Sequence, residues 1–133
     1  MSEQPDPGLT ARFYLAWRDA DYGKLGDLLA PAAQWIMAGN SRFAGATRGR
    51  GAIIAMRQEM SDLTGATWHA LREDSYDIVS SEFHSFAIDR FLAEREGSKL
   101  DSHEAILVLV DGGKVQTLLH YFFDQQHFDA FWS

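Results

Sequence analysis

The chain has 133 residues, of which 46% are hydrophobic and 23% charged, and its net charge is -7 with only 12 Lys and Arg residues. This length fits one domain that buries roughly two-thirds of the surface of its unfolded chain, so a core with an internal pocket is feasible. The composition excludes disorder over most of the chain. Because the basic residues are scattered, it also argues against a nucleic-acid-binding surface. The lack of cysteine excludes disulfides, thiolate nucleophiles and thiolate metal sites.

The first eight residues, MSEQPDPG, predict a short flexible leader before a single domain at residues 9–133. They contain no basic stretch followed by an apolar run, which a secretory signal would have. No window of the chain approaches the 18 apolar residues that a membrane span needs. We therefore expect a soluble, cytoplasmic protein without a membrane partner.

Three helices are predicted in the first half of the chain. Apolar residues at helical spacing indicate a first helix over about Gly8 to Ala20. Asp21 is a typical N-cap residue for a second, short helix that stops at Pro31. A third helix, from about Gly49 to Leu63, carries an apolar stripe with two methionines, and the polar Arg57 is placed off that stripe.

A first strand is predicted between the second and third helices. The segment from Ala33 to Ala38 is apolar with a β-branched centre, and it would present Trp35 and Met37 on one face. The glycine-rich AGATRGRG that follows lacks the Gly-Lys-Ser/Thr ending of a phosphate loop. It therefore predicts a surface connection rather than a nucleotide site.

The second half of the chain predicts an antiparallel sheet and a last helix. Turn signals at Gly97-Ser98 and Gly112-Gly113 are typical of tight hairpins. Asp124 is a typical cap for the closing helix, QQHFDAFW. The predicted strands are Thr67 to Val79, as one strand or a bulged pair, Glu82 to Glu94, Leu100 to Val110 and Val115 to Phe123.

Two-residue turns at these positions would fix how the last three strands pair. Arg90 would then lie opposite Ala105, and Ala105 opposite His120, so that the three form one row, with His103 a step away. Since opposite residues share a face, this register puts the polar groups together on one side of the sheet. A slip of one residue in either hairpin would break the row.

The order of elements, the phrase AGATRGRGAI before the third helix, and an ending of strand, aspartate and FDAFW together resemble the SnoaL-like proteins. These belong to the superfamily of nuclear-transport-factor-like folds, with ketosteroid isomerase and limonene epoxide hydrolase. The resemblance implies an α+β fold: a cone-shaped, strongly curved antiparallel sheet wrapped around three N-terminal helices, with an internal apolar pocket for a small molecule. It also implies a homodimer through the outer sheet face, for which we expect the face with Phe91, Ile106, Val108, Leu119 and Phe123.

The resemblance carries over the catalytic residues of these relatives only in part. Met37 stands where ketosteroid isomerase has its carboxylate base, and Phe13 and Ala105 stand where it has a tyrosine and a neutral carboxylic acid, with Tyr14 one residue away. Steroid-type isomerisation by that route is therefore not expected. Limonene epoxide hydrolase has an Arg-x-Asp pair that is incomplete after Arg90. The phrase HYFFD, however, resembles its last-strand phrase and places His120 where that enzyme has an aspartate.

His120 is thus the candidate acid or base, because a histidine exchanges protons near neutral pH. The alternative is a histidine that only lines the pocket. Arg90 and His103 are candidates for stabilising charge on a substrate oxygen, or alternatively form an ion pair at the rim with Glu94 or Asp101. The predicted pocket lining consists of Tyr14, Trp17, Trp35, Met37, Met56, Phe86, Ile88, Leu107, Leu118 and Phe122.

Two functions follow as hypotheses. The first is a SnoaL-like enzyme, a cyclase, isomerase, dehydratase or epoxide-opening hydrolase, that acts on an apolar, polyketide-like substrate by general acid/base catalysis without a cofactor. The second is a noncatalytic protein that binds a small ligand on the same fold. The five histidines lack metal-binding spacing, and no Gly-x-Ser-x-Gly elbow is present, so neither a metal site nor a serine triad is expected.

Overall fold

A computed structural model describes residues 5–70 and 76–133. The helices are α1 (Pro7–Arg18), α2 (Tyr22–Leu28), α3 (Arg50–Leu63) and α4 (Gln125–Phe131). The strands are β1 (Leu29–Met37), β2 (Gly45–Arg48), β3 (His69–Ala70), β4 (Tyr76–Ser80), β5 (Ser85–Arg95), β6 (Ser98–Asp111) and β7 (Lys114–Phe122). The fold is α+β, as predicted.

The helix ends follow from local capping. The Asp6 carboxylate accepts a hydrogen bond from the Leu9 amide, so α1 begins at Pro7, inside the predicted leader, whose residues 1–4 lie outside the described part. Asp21 caps α2, as predicted, by accepting from the Lys24 amide. Asp124 likewise caps α4 through the His127 amide.

Two predictions about the first half of the sheet are wrong. Pro31 does not end a helix; it lies within β1, where the pairing with β7 shifts register, and an irregularity of this kind tolerates a missing amide donor. The AGATRGRG segment is not only a surface connection, because its residues Gly45–Arg48 form β2 and pair with the far half of β1. This strand could not be predicted, because a glycine-rich segment has little alternation of apolar and polar side chains.

The seven described strands form one open, mixed sheet in the order β2-β1-β7-β6-β5-β3, with β4 also paired to β5. The sheet is antiparallel except for β1 and β7, which run parallel. Long connections permit that arrangement, which adds one parallel pair to the antiparallel sheet that was predicted. The predicted strand from Thr67 to Val79 is represented by β3 and β4; its residues 71–75 lie outside the described part.

The core lies between one face of this sheet and the helices. α1 packs on β4 and β5, α3 packs on β1 and β2, and α4 packs on β6 and β7. The stripe of α3 includes Arg57 as well as Ile53, Met56 and Met60, so the prediction that Arg57 lies off the buried face is wrong. Within the described residues, no helix is both long and apolar enough to cross a membrane.

The first predicted hairpin register is off by two residues. The turn is Glu96-Gly97, both with positive φ (50° and 83°), and Arg95 lies opposite Ser98. Arg90 is therefore opposite His103, not Ala105. A shift of two keeps every residue of β5 and β6 on the face shared with its predicted partner.

The second predicted register fails because of a β-bulge. Asp111 does lie opposite Lys114, but the register shifts after Val110 and Val115, so that Leu109 lies opposite Thr117 and Gln116 is the extra residue. One extra residue reverses the facing of the rest of β7 relative to β6. His120 consequently lies opposite Ile106 instead of Ala105.

Candidate active site

His120 lies on the inner face of the sheet, and its side chain is buried. Its neighbours across the sheet are Met37 on β1 and Ile106 on β6. Its ring meets the edge of Trp35, with the ring centroids 5.2 Å apart, and lies 4.3 Å from the ring of Phe122. The inward orientation predicted for His120 is therefore correct, although Ile106 lies opposite it on β6 and not the predicted Ala105.

Two carboxyl groups lie on the same inner face. Asp89 on β5 and Glu104 on β6 are directly opposite each other in the ladder, and they are only 6% and 2% exposed. Like charges at such positions repel, and removing them from water disfavours ionisation further. Burial, together with the charge of Glu104, raises the pKa of Asp89 to about 8, and burial raises the pKa of Glu104 to about 7.

Tyr14 joins this carboxyl pair from α1. The neighbouring Phe13 and Trp17 are buried in the core and hold that side of the helix against the sheet. The Tyr14 hydroxyl donates a hydrogen bond to Asp89 Oδ2, and its ring lies 4.9 Å from the ring of Tyr76. Burial and the nearby Asp89 carboxyl raise the pKa of Tyr14 well above its usual range, so the phenol stays protonated and donates.

His120 extends the group in the other direction, through Glu104. Its Nε2 lies 2.8 Å from Glu104 Oε2, a diagonal contact between neighbouring strands. Burial lowers the pKa of the His120 ring, so the ring is neutral at pH 7, and when Glu104 is ionised the Nε2–H of the ring donates to it. The lone pair of the neutral ring is then on Nδ1.

One side chain of this group, His120, has a buried atom, Nδ1, without a hydrogen-bond partner. Asp89 Oδ1 accepts no hydrogen bond, but the Asp89 and Glu104 carboxyl groups share one, in which the protonated Asp89 donates. Buried polar atoms are almost always paired in folded proteins, because an unpaired one costs roughly 1–3 kcal/mol. Tyr14, Asp89, Glu104 and His120, named here the acid/base cluster, thus present one free acceptor, His120 Nδ1, inside the core.

The comparisons with known proteins agree with this fold. No family model matches the chain. An uncharacterized protein of Mycobacterium tuberculosis is 28% identical over the full length of both chains. The structure of Bal32a, from a soil-derived mobile gene cassette, is 31% identical, covers 94% of each chain and superposes with a TM-score of 0.85. A putative SnoaL-like polyketide cyclase from Jannaschia is 12% identical over 86% of this chain and 83% of that one, with a TM-score of 0.69.

The chain belongs to the family of Bal32a and has the nuclear-transport-factor-like fold of the SnoaL-like proteins. Other structures with this fold include an NTF2-like protein and two further putative polyketide cyclases. The resemblance identified in the sequence is thereby confirmed. For the cyclases, whose sequence identity is low, the likeness concerns the fold alone.

On this SnoaL-like fold, Arg90 and His103 do not lie beside His120. Both are on the outer face, where Arg90 Nε and Nη2 donate to the two oxygens of Asp101 at 2.8 and 2.7 Å. The alternative of a rim ion pair is therefore correct for Arg90. His103 is exposed and stacks on Phe123. The predicted row with His120 is wrong because the bulge in β7 reverses its facing.

The residues predicted to line the pocket are likewise divided between the outer and the inner face of the sheet. Phe86, Ile88 and Leu107 lie on the outer face of β5 and β6, so their assignment to the pocket is wrong. Seven of the predicted lining residues are buried on the core side: Tyr14, Trp17, Trp35, Met37, Met56, Leu118 and Phe122. They pack closely, with Trp17 and Trp35 stacked at 4.0 Å. The expected dimer face was also misassigned in part, because Phe91, Ile106 and Val108 are buried in the core.

Sequence reasoning missed Asp89 and Glu104 as site residues. Each is an acid whose neighbours on the same face of its strand, two residues before and after it, are buried and small or apolar. A single acidic residue at such a position was the signal available in the sequence. The described residues include no set of three or more His, Asp and Glu side chains arranged for a metal ion.

Proposed function

We propose that this protein is an enzyme that moves protons on a small, apolar organic molecule that carries a carbonyl or similar oxygen. The observation that carries the proposal is the acid/base cluster: four titratable side chains joined in the core, two of them with pKa values of about 7 and 8 and one, His120, with an unpaired ring nitrogen. Groups with such pKa values suit acid/base catalysis near neutral pH. A purely structural core would bury this set at a considerable loss of stability.

His120 is assigned the role of base. Glu104 accepts its Nε2–H and fixes the tautomer, which leaves the Nδ1 lone pair free to take a proton from carbon. This is the arrangement by which a carboxylate orients a catalytic histidine in other enzymes. In this scheme Glu104 orients His120. Because burial lowers the pKa of the ring to about 3 and the pKa of Glu104 is about 7, Glu104 takes the Nε2 proton as Nδ1 accepts one from carbon.

Tyr14 and Asp89 are assigned the stabilisation of the substrate oxygen. When a substrate binds, the oxygen on which negative charge develops would replace Asp89 Oδ2 as the acceptor of the Tyr14 O–H, and a protonated Asp89 would donate a second O–H to it. Neutral donors held in a dry site stabilise such charge strongly. Return of the proton at another atom gives isomerisation, and attack of the resulting carbanion on a second carbonyl gives cyclisation.

The experiment follows exchange of α-protons for deuterium in cyclohexenone and tetralone by proton NMR in D₂O. We expect exchange by the native protein and a loss of about 10²–10⁴-fold in Tyr14→Phe, Asp89→Asn and His120→Gln. The matched controls are exposed residues on the outer face, Tyr121→Phe, Asp101→Asn and His103→Gln, which retain exchange.

Equal exchange in His120→Gln and His103→Gln would contradict the assigned base. Tryptophan fluorescence measures binding of the same ketones, because Trp35 touches His120. Binding without any exchange would favour the noncatalytic ligand-binding protein. The free Nδ1 atom supports the enzyme, since a histidine with both nitrogens paired has no available lone pair.

We also propose that two copies of the chain pair through the outer face of the sheet. Phe123 is 70% exposed and Tyr121 is 44% exposed at the end of β7, beside the half-buried Leu119. Large exposed aromatic groups in one place are typical of an interface. This surface includes two of the five residues expected from the sequence, Leu119 and Phe123.

A further inference from the structure

Two buried tryptophan side chains next to the acid/base cluster have indole N–H groups without an acceptor. Trp17 on α1 and Trp35 on β1 are 1% and 0% exposed, and neither Nε1 atom makes a hydrogen bond. An indole N–H can only donate, and it usually finds a partner when a tryptophan is buried. Phenylalanine would fill an apolar core without such a donor. Packing alone therefore does not account for tryptophan at both positions.

The two indole rings and the imidazole of His120 form one continuous contact. Trp17 stacks on Trp35 with the ring centroids 4.0 Å apart, and Trp35 meets the His120 ring at 5.2 Å. Trp35 and His120 are diagonal neighbours on β1 and β7, because His120 lies opposite Met37. His120 Nδ1 also lacks a partner. Two unpaired donors and one unpaired acceptor thus belong to rings that touch one another.

α1 supplies donors on both sides of His120. Tyr14 and Trp17 are three residues apart, so they extend from the same side of the helix. Tyr14 donates to Asp89, whereas Trp17 stacks on Trp35. In the sheet, β7 lies between β1 on one side and β6 and β5 on the other. His120 therefore has the indole donors toward β1, and it has Tyr14 and Asp89 toward β5.

Trp132 also has a buried indole N–H without an acceptor, but it lies in another part of the core. Its ring contacts in the described part of the chain are with Phe43, Trp68, Phe128 and Phe131. None of these residues belongs to the acid/base cluster. Trp132 therefore provides an internal control, an equally buried indole without a ring contact to His120.

We propose that the indole N–H groups of Trp17 and Trp35 bind a second oxygen of the substrate, which is then a small apolar molecule with two carbonyl groups, one on each side of the carbon that loses its proton. Tyr14 and Asp89 bind the first oxygen, as in the proposed function on which this inference rests. The C–H bond breaks, its electron pair passes into the enolate, and its proton goes to His120 Nδ1.

A dicarbonyl substrate matches the base that this site contains. A carbon between two carbonyl groups gives up a proton more readily than a carbon beside one, because the negative charge spreads over two oxygens. His120 is a weak base, since burial disfavours its charged form. Donors held at both oxygens would stabilise the enolate as it forms.

The test uses 2,2-dimethylcyclohexane-1,3-dione, which has no proton on the carbon between its carbonyl groups, and 2,2-dimethylcyclohexanone, which lacks one oxygen. The four indole N–H signals of the ¹⁵N-labelled protein are followed by NMR. We expect the dione to move two of them, those of Trp17 and Trp35, downfield, and to leave the Trp132 signal in place. The dione should bind about tenfold more tightly than the monoketone, as expected for a net gain of one to two hydrogen bonds.

Phenylalanine variants assign the signals and test each donor. Trp17→Phe and Trp35→Phe each remove one N–H, and each should bring the ratio of the two dissociation constants toward one. Trp132→Phe is the matched control and should retain the native ratio. Because both ligands are measured on the same variant, a general loosening of the core cancels in this ratio.

Failure of the dione to bind, or binding that moves fewer than two indole signals, overturns the proposal. This titration uses the native protein, so it decides even if a variant does not fold. A native ratio in both Trp17→Phe and Trp35→Phe also overturns it. So does a nuclear Overhauser effect from water to both indole protons that persists in the dione complex, which shows that they bind water alone.

The proposed function and this inference can fail separately. Movement of both indole signals without proton exchange in cyclohexenone or tetralone would refute the catalysis and retain the oxygen-binding site. Exchange in these ketones without movement of the indole signals by the dione would refute this inference alone.

Discussion

Replacing Asp89 by asparagine tests whether the folded protein holds a protonated carboxyl group in its core. The pKa of Asp89 is raised from 3.8 to about 8, so between pH 5 and 7 the folded state binds a proton that the unfolded state lacks. Stability therefore falls as the pH rises through this range, by about 1.4 kcal/mol per pH unit for this one group. Asparagine does not titrate, and its amide oxygen can still accept from Tyr14. The variant should gain about 3 kcal/mol relative to the native protein between pH 5 and pH 7.

The assay is urea unfolding followed by tryptophan fluorescence at pH 5, 6 and 7, with the difference between variant and native protein as the quantity of interest. Asp101→Asn is the matched control. Arg90 lowers the pKa of that exposed carboxyl group, so replacing it should bring no gain in the free energy of unfolding at higher pH. A difference between Asp89→Asn and the native protein that is constant with pH would refute the reasoning. A gain that falls with rising pH would show that Asp89 is ionised in the folded state.

Three further predictions concern other parts of the fold. Tyr14→Phe leaves Asp89 without its donor and should lower the free energy of unfolding by about 1–3 kcal/mol in urea, whereas Tyr121→Phe at an exposed position should leave it unchanged. Deletion of Gln116 removes the bulge and turns the following residues of β7 to the other face, so it should abolish cooperative thermal unfolding. Deletion of Ser2, before α1, is the control. A native melting curve for the protein without Gln116 would contradict the register. Phe123→Asp should convert a dimer to a monomer, as measured by sedimentation velocity. Phe83→Asp, at an exposed position before β5, is the control and should leave the dimer intact. An unchanged mass for both variants would refute the proposed dimer face.

The secondary structure could be predicted from the sequence because its signals are local. Asp21 and Asp124 cap the next helix through their own side chains, and apolar spacing marks the buried stripe of α3. Signals of this kind depend on neighbours within one or two turns. Gly45–Arg48 was missed as a strand for the converse reason: β2 is defined by its pairing with β1 and has no alternating pattern of its own.

The candidate site could not be predicted in full, because it depends on how neighbouring strands pair, which the sequence of a single strand does not show. The sequence identified His120 as an inward polar residue, and the structure confirms that orientation. Its partners follow from the bulge at Gln116, since one extra residue replaces Ala105 by Ile106 opposite His120 and brings Glu104 within 2.8 Å. The bulge lies within a run of residues that fit either face of a sheet, so nothing in the local pattern marked it.

The sequence by itself determined the helices, most of the strands, the kind of fold and the presence of one inward histidine. Only the tertiary structure decided that Tyr14, Asp89 and Glu104 surround that histidine, while Arg90 pairs with Asp101 on the outer face. Capping and periodicity act between near neighbours in the chain, whereas the site is assembled by α1 and three strands. The register between those strands is set by packing of the whole inner face.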